Sequence, residues 1–318
     1  MRRHFILSII LSLFVSAFAY ASDIDVSIQG RGAFYADKQE NGFKADYLNL
    51  LAKGNLGKHF SFIVRHELNK PTTNKELLNA TDFLNLTYST GDWSFSAGKY
   101  TLAVGGFEYD AAPIDIYFAS EYWDNFGGCF EYAVSAARRF GAEQLTFQFA
   151  RSPFGNSDKA LSGRYAYSLQ LLGEAEHWKH IYSVNFLEKE TKGEFVNFIA
   201  LGNKFVFDKF SVYLDLQHRM ECSKPTFFKD FTLSSRADFA PAEWVNLFGR
   251  ADYDYNTSGS ATIVSNGTEA FRYGFGAEFF PWEGREDIRF HSVFYNDTRT
   301  KTPCLMLGLT LKLHLIRK

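Results

Sequence analysis

Apolar and polar side chains alternate in stretches of about ten residues, and these stretches recur to the last residues of the chain. In the final stretch the odd-numbered leucines, from Leu305 to Leu313, share one face, while Met306, Thr310 and Lys312 lie on the other. A side-chain period of two is typical of a β-strand, and a tilted strand of about 9–11 residues is long enough to cross a bilayer. The sequence therefore predicts a transmembrane β-barrel.

The N-terminal residues indicate export from the cytoplasm. Arg2 and Arg3 precede an apolar run from residue 5 to residue 18, and Ala19 and Ala21 then form a cleavage pattern of small residues. This arrangement is typical of a secretory signal peptide, which we predict to span residues 1–21. The remaining residues, 22–318, form the predicted barrel domain. An exported barrel belongs in the outer membrane of a Gram-negative bacterium, where its lipid is a partner.

Composition agrees with a barrel and excludes several other classes of protein. Aromatic residues make up 18% of the chain although its mean hydropathy is only −0.21, as expected when every second side chain faces water. The net charge of −2 gives no reason to expect nucleic-acid binding. Cys129, Cys222 and Cys304 lack metal-site spacing, so we predict no metal and no other cofactor. A bridge between Cys222 and Cys304 is left open.

The chain divides into about sixteen predicted antiparallel strands, an even number as in single-chain bacterial barrels. Short turns alternate with longer connections, the pattern of periplasmic turns and extracellular loops. The faces of the second and tenth strands are ambiguous. The predicted strands are 24–35, 43–53, 59–68, 81–89, 92–100, 129–139, 143–151, 163–173, 178–188, 194–206, 209–219, 229–239, 243–255, 270–280, 286–296 and 304–315.

Many charged residues fall on the polar faces of these strands. A charge on the lipid-facing side would cost a few kcal/mol near the bilayer midplane, so alternation directs these side chains inward. They predict a hydrated lumen with a basic wall. The predicted wall residues are Arg31, Arg65, Arg236, Arg250, Arg272 and Arg289.

The longest connection follows the fifth strand and is rich in apolar and aromatic residues. A segment of this composition is expected to pack against protein, and the lumen offers the nearest walls. We therefore predict that this third extracellular loop folds into the lumen and narrows it.

Several short motifs in and beside this connection carry a resemblance to a known family. They are Gly98-Lys99, residues 105–110 with the sequence Gly-Gly-Phe-Glu-Tyr-Asp, and residues 113–117 with the sequence Pro-Ile-Asp-Ile-Tyr. With residues 201–204, Leu-Gly-Asn-Lys, they resemble the phosphate-selective porin O and P family, most of all the branch common in Bacteroidota. The resemblance implies a sixteen-stranded homotrimeric porin with a constricting third loop.

The loop departs from the family in its charges. Phosphate selectivity in the family depends on Arg and Lys at the constriction, whereas residues 101–128 contain neither. The loop is acidic instead. We predict that its acids face the arginine wall across the pore and create a transverse field, with weak ion selectivity and no special binding of phosphate. The predicted constriction residues are Glu108, Asp110, Asp115, Glu121 and Asp124.

The sequence thus favours a passive diffusion channel for small hydrophilic solutes and ions. Two alternatives stay open: a phosphate- or anion-selective porin, and a binding or adhesion barrel with a closed lumen. An enzyme is disfavoured, because His66, His218 and His291 are not accompanied by a nucleophile motif such as Gly-x-Ser-x-Gly.

Overall fold

A closed barrel of sixteen antiparallel strands forms most of the protein in this computed structural model, which describes residues 21–38, 41–70, 79–155, 163–260, 263–282 and 287–317. The predicted signal peptide lies outside these residues except for Ala21. The strands are β1 (Ala21–Ala36), β2 (Asn41–Leu56), β3 (Phe60–Glu67), β4 (Thr81–Thr90), β5 (Trp93–Thr101), β6 (Phe130–Phe140), β7 (Glu143–Arg151), β8 (Tyr165–Glu174), β9 (Trp178–Glu188), β10 (Phe195–Val206), β11 (Phe210–Glu221), β12 (Asp230–Ala242), β13 (Val245–Asn256), β14 (Thr268–Phe279), β15 (Ile288–Asp297) and β16 (Cys304–Arg317).

The barrel closes through β1 and β16, whose register includes the pairs Arg31–Thr310 and Phe34–Leu307. Closure is required in lipid because each unpaired backbone N–H or C=O group there would cost several kcal/mol. The strand number, the antiparallel order and the alternation of short and long connections confirm the architecture expected from the sequence. Among the described residues, no helix is long and apolar enough to cross a bilayer.

The two faces of the strands separate as the alternation predicts. On β16, Leu305 and Leu307 are exposed on the outer surface, whereas Met306 and Thr310 are buried on the inner side. Phe275 on β14 is the most exposed of these outward side chains, at 64%. The outer surface is therefore apolar, as contact with lipid requires.

The two ambiguous strands each have a structural explanation. On β10 the inward residues are Val196, Phe198 and Ala200, all buried, because they pack against a hydrophobic cluster inside the barrel. A strand that is apolar on both faces loses its alternation. On β2 the register with β1 shifts beside Asp46, and this irregularity reverses the order of faces along the strand.

The connection between β5 and β6, residues 102–129, lies inside the barrel, and we call it the inner loop. It contains helix α1 (Phe107–Asp110), a 3₁₀ turn (Pro113–Asp115) and helix α2 (Glu121–Phe126). The Ser120 hydroxyl caps α2 by accepting a hydrogen bond from the Trp123 N–H. Tyr122 and Phe126 pack on Phe198 of β10, with ring centroids 5.5 and 5.7 Å apart. The main hydrophobic core therefore joins the inner loop to the wall.

The cysteines do not form disulfides. Cys129, Cys222 and Cys304 all carry free thiols, so the bridge left open between Cys222 and Cys304 is not formed in this structure.

Candidate functional site

The inner loop enters the lumen along the inner face of β7, β8 and β9. The Ala103 N–H donates to the Gln148 side chain at 2.8 Å, and the Gln170 side chain donates to the Val104 carbonyl at 2.9 Å. The Gly105 N–H then donates to the Ser183 hydroxyl at 2.8 Å. Neutral side chains on the wall thus satisfy backbone groups that would otherwise be buried without partners.

The inner loop next passes close to the backbone of β10. Gly106 adopts a φ of 101°, a conformation that favours glycine, and its Cα approaches Gly202 on β10. A Cβ at position 202 would lie 2.7 Å from that Cα and 2.8 Å from Oδ1 of Asp215. Two glycines therefore allow the loop backbone to lie directly against the wall.

Glu108 occupies the centre of the site. Its backbone N–H donates to Asp215 at 2.7 Å, and its fully buried carboxylate pairs with Arg250. The same carboxylate accepts hydrogen bonds from the N–H and hydroxyl of Ser120 and from the hydroxyl of Ser234. A buried carboxylate needs this number of donors to offset its lost hydration.

The 3₁₀ turn reaches across to β1 and β15. Arg31 donates to the carbonyls of Ile114 and Ile116 at 3.0 and 2.6 Å. Arg289 pairs with Asp115, and Lys312 lies 3.5 Å from the same carboxylate. These contacts hold the middle of the loop on the side of the barrel opposite its entry strands.

Helix α2 is held by β13 and β14. The Glu121 N–H donates to Asp254 at 2.7 Å, and the Glu121 carboxylate pairs with Arg299 at 2.5 Å. Arg272 pairs with Asp124 at 2.8 Å and also donates to the carbonyl of Ala119.

The structure brings most of the eleven predicted site residues together as contacting pairs. Four of the five loop acids, all except Asp110, have an ion-pair partner. Asp110 is exposed to the lumen and has no ion pair among the described residues. Of the predicted wall arginines, Arg31, Arg236, Arg250, Arg272 and Arg289 contact the inner loop.

Arg65 has a different environment. Its guanidinium pairs with Asp82 at 3.1 Å and lies 4.8 and 4.9 Å from the ring centroids of Phe83 and Phe130. No contact with the inner loop is seen among the described residues. This side chain is therefore part of the wall on the β3–β6 side.

Sequence reasoning missed five side chains that bind the loop, three of them neutral and two charged. Gln148, Gln170 and Ser183 bind its backbone, and Asp254 and Arg299 bind α2. Gln148, Gln170 and Ser183 could have been found from the sequence, because the alternation along β7, β8 and β9 places them on the inward faces. Arg299 lies in the connection before β16, where no face could be assigned.

The pKa values of two loop acids shift in opposite directions. Asp110 is surrounded by protein inside the lumen, and this partial loss of hydration raises its pKa above the ordinary value. Burial would also raise the pKa of Asp115, but Arg289 and Lys312 outweigh burial and lower it. Asp115 therefore stays ionised at a lower pH than Asp110 does.

Two cavities lie on either side of the inner loop and share Asp110 and Ala111. The first, which we call the charged chamber, has a volume of about 540 Å³ and lies towards the short turns. Its charged lining residues are Asp110, Asp115, Lys204, Asp208, Lys209, Arg236, Asp238, Arg250, Glu278 and Arg289. Basic and acidic groups are equal in number there, so the formal charges of the chamber cancel.

The second cavity, which we call the neutral passage, has a volume of about 420 Å³ and lies between the inner loop and β3–β8. On the strand side, its wall consists mainly of uncharged polar residues. Within the part of the chain that the structure describes, Arg65 and Asp110 are the only charged residues that line it. Its polar lining residues from the strands are Ser94, Ser96, Tyr100, Thr101, Ser135, Gln144, Thr146, Gln148 and Gln170.

Comparison with known proteins identifies both a family and a fold. The family described as phosphate-selective porin O and P matches residues 18–204. No curated protein sequence matches the chain.

Solved structures with a similar fold include the anion-selective porin from Comamonas acidovorans, with a TM-score of 0.64, 10% identity, and 91% of this chain and 99% of that chain covered. A loop-deletion mutant of OmpT, an outer membrane protein of Vibrio cholerae, has a TM-score of 0.61 and 11% identity, with 91% and 98% covered. A mutant of the Rh. blastica porin has a TM-score of 0.57 and 10% identity, with 91% and 100% covered. At this identity the similarity concerns the fold.

Proposed function

Because the chain belongs to the phosphate-selective porin O and P family and is an outer-membrane porin of a Gram-negative bacterium, we propose that it is a general diffusion channel narrowed by its inner loop. Its solutes are small hydrophilic molecules and ions. Porins are channels rather than enzymes, and this function includes no catalytic step.

The hydrogen bonding of the inner loop carries the proposal. The loop is joined to inward-facing side chains on β7, β8 and β9 at its start, on β12 and β13 near Glu108, and on β1, β14 and β15 further along. A segment held by strands on opposite sides of a barrel must cross the lumen. The loop therefore narrows the channel to the space that remains beside it.

Weak ion selectivity follows from the pairing of charges in this site. Glu108, Asp115 and Asp124 contact Arg250, Arg289 and Arg272 directly, so no water separates each acid from its guanidinium. Contacting opposite charges cancel at short range, and the transverse field across the pore is small. Nine of the eleven predicted site residues, all except Asp110 and Arg65, act to fasten the loop.

A phosphate-selective channel is the less favoured alternative. A phosphate site needs guanidinium or ammonium groups that are directed at the anion. Arg31, Arg250 and Arg289 instead direct their donors at carbonyls and carboxylates of the inner loop. The two cavities also argue against a closed-lumen adhesion barrel.

Planar-bilayer recording of the purified protein tests this function. We expect open channels with a small reversal potential in a KCl gradient, and no block when inorganic phosphate is added. Strong anion selectivity with block by phosphate would restore the narrower function of the family. Absence of conductance would support the closed-lumen alternative.

We also propose that the signal peptide is removed and that the mature protein assembles into a homotrimer. Removal of residues 1–21 would leave Ser22 as the first residue of the mature protein, and the family implies a homotrimer. The intact mass of protein isolated from outer membranes tests the cleavage. Analytical ultracentrifugation in detergent tests the trimer, and a monomeric mass would contradict it.

A further inference from the structure

The inner loop divides the lumen into two unequal sides. Towards β10–β15 it is fastened by the buried ion pair Glu108–Arg250 and by the partly exposed pair Arg289–Asp115. Towards β3–β8 it faces the neutral passage. Beyond its hydrogen bonds to Gln148 and Gln170 at its start, the loop leaves open space on this side of the lumen.

We propose that solutes cross the barrel through the neutral passage, that uncharged polyhydroxylated molecules of sugar size are its preferred solutes, and that Asp110 sets its residual ion preference. This inference rests on the proposed channel function and adds a path and a substrate class to it.

The extent of the neutral passage is the first argument. Its lining residues on β5 run from Ser94, next to the short turn, to Thr101 at the other end of the strand. Seven residue steps at roughly 3.3 Å each correspond to about 23 Å along the strand. Such strands are tilted by about 35–45°, so this length covers roughly 16–19 Å along the membrane normal, about two thirds of the apolar thickness of about 25 Å in such barrels.

The charged chamber has a different geometry. Its lining includes the short turn at residues 207–209, and it meets the neutral passage at Asp110 and Ala111. Beyond that point the loop is bonded to β1 and β15 through Arg31 and Arg289. The chamber is therefore a vestibule on the short-turn side, from which the path continues past Asp110.

The chemistry of the lining indicates the class of solute. Hydroxyl and amide groups of Ser96, Ser135, Thr146 and Gln144 can exchange hydrogen bonds with a solute hydroxyl as water does. An uncharged polyol then crosses with little loss of hydrogen bonding. An ion loses more, because a narrow passage removes part of its hydration and the wall supplies few compensating charges.

Asp110 and Arg65 are the exceptions to this neutrality, and they are not equivalent. Arg65 is buried, pairs with Asp82 and lies against the rings of Phe83 and Phe130. Asp110 is exposed and has no ion pair among the described residues. The exposed carboxylate has the larger effect on passing ions, so we expect a slight preference for cations.

Bulky substitutions test the path. Ser135 lines the neutral passage and Ser211 lines the charged chamber, so Ser135→Phe and Ser211→Phe place the same ring on the two sides of the loop. We expect Ser135→Phe to lower single-channel conductance at least threefold and Ser211→Phe to lower it less than 1.5-fold. The opposite order would overturn the path. Ser94→Phe serves as a second passage variant if Ser135→Phe does not fold.

Liposome swelling tests the solute class with a pair of probes that differ in charge. We expect glucose to enter at least fivefold faster than gluconate, which has a similar size. Asp110→Asn should increase gluconate entry at least twofold and change the entry of glucose by a smaller factor. Asp92→Asn, the same charge change at an exposed short turn, should alter neither rate.

The outcomes of these experiments distinguish a failure of this inference from a failure of the proposed channel function. Wild-type protein that does not conduct, or that phosphate blocks, would contradict the diffusion channel itself. A conducting channel with equal glucose and gluconate entry would contradict the solute class alone. Equal gluconate entry in wild type and Asp110→Asn would contradict the role of Asp110.

Discussion

Glu108 and Arg250, 142 residues apart in the chain, form an ion pair inside the barrel with side-chain exposures of 0% and 3%. Arg250 also pairs with Asp252 on its own strand, at 2.9 Å. The pair joins the first helix of the inner loop to β13. Among the described residues, it is the most deeply buried ion pair between the loop and the wall.

Loss of one partner of this pair should loosen the loop. Glu108→Ala leaves the Arg250 guanidinium buried with Asp252 alone, and breaking a buried pair in this way costs about 3–5 kcal/mol. We expect a lower unfolding temperature and a larger, noisier conductance in planar bilayers. The triple variant Glu108→Leu with Arg250→Met and Asp252→Asn removes all the charges of this cluster and should recover most of the stability. If both variants are equally stable, the ion pair does not hold the loop.

Adjacent residues on β7 provide a test of the face assignment. Phe147 is 52% exposed on the outer surface, whereas Thr146 lines the neutral passage. Phe147→Lys should destabilise the inserted barrel by about 2–4 kcal/mol, since its charge meets lipid. Thr146→Lys should fold normally and shift the reversal potential towards anions. Urea unfolding in lipid vesicles measures the first effect, and equal losses in both variants would contradict the assignment.

The close approach of the loop to β10 predicts unequal effects at two glycines. Gly202→Ala introduces a methyl group 2.7 Å from the Cα of Gly106, so the loop must move and conductance should change. Gly249→Ala meets no atom within 4 Å and should be neutral or stabilising by about 0.5–1 kcal/mol. Melting curves and single-channel recordings of the two variants compare them directly. Unchanged conductance in Gly202→Ala would show that the contact does not position the loop.

Acidification should remove the cation preference. The pKa of Asp110 is raised by partial loss of hydration, so Asp110 loses its charge at a higher pH than an ordinary aspartate with a pKa of about 3.9. Asp115, whose pKa is lowered by Arg289 and Lys312, keeps its charge to a lower pH than Asp110 does. As the pH falls, the passage therefore becomes more positive, and the preference moves towards anions.

Reversal potentials measured between pH 7 and pH 4 check this expectation. At pH 7, Asp110→Asn should already have the reversal potential that the wild type reaches at low pH. The other residues that line the charged chamber are the same in both proteins, so the difference between the two curves isolates Asp110. If the reversal potentials of the two proteins coincide at every pH, Asp110 does not set the ion preference.

The sequence by itself determined the strands and their outward faces. Alternation is a local property, because neighbouring side chains of a strand point to opposite sides whatever the rest of the chain does. Strand β7, for example, was predicted at residues 143–151 and is found there. The inward direction of the arginines followed from the same rule and from the cost of charge in lipid.

Only the tertiary structure decided what those inward charges contact. Glu108 and Arg250 are far apart in sequence, and nothing local distinguishes the paired Glu108 from the unpaired Asp110 two residues later. Alternation also failed on β10, where an interior aromatic cluster makes both faces apolar. Side-chain direction is set by neighbours in the chain, but pairing and open space depend on how the loop and the distant strands meet, and that arrangement exists only in the folded barrel.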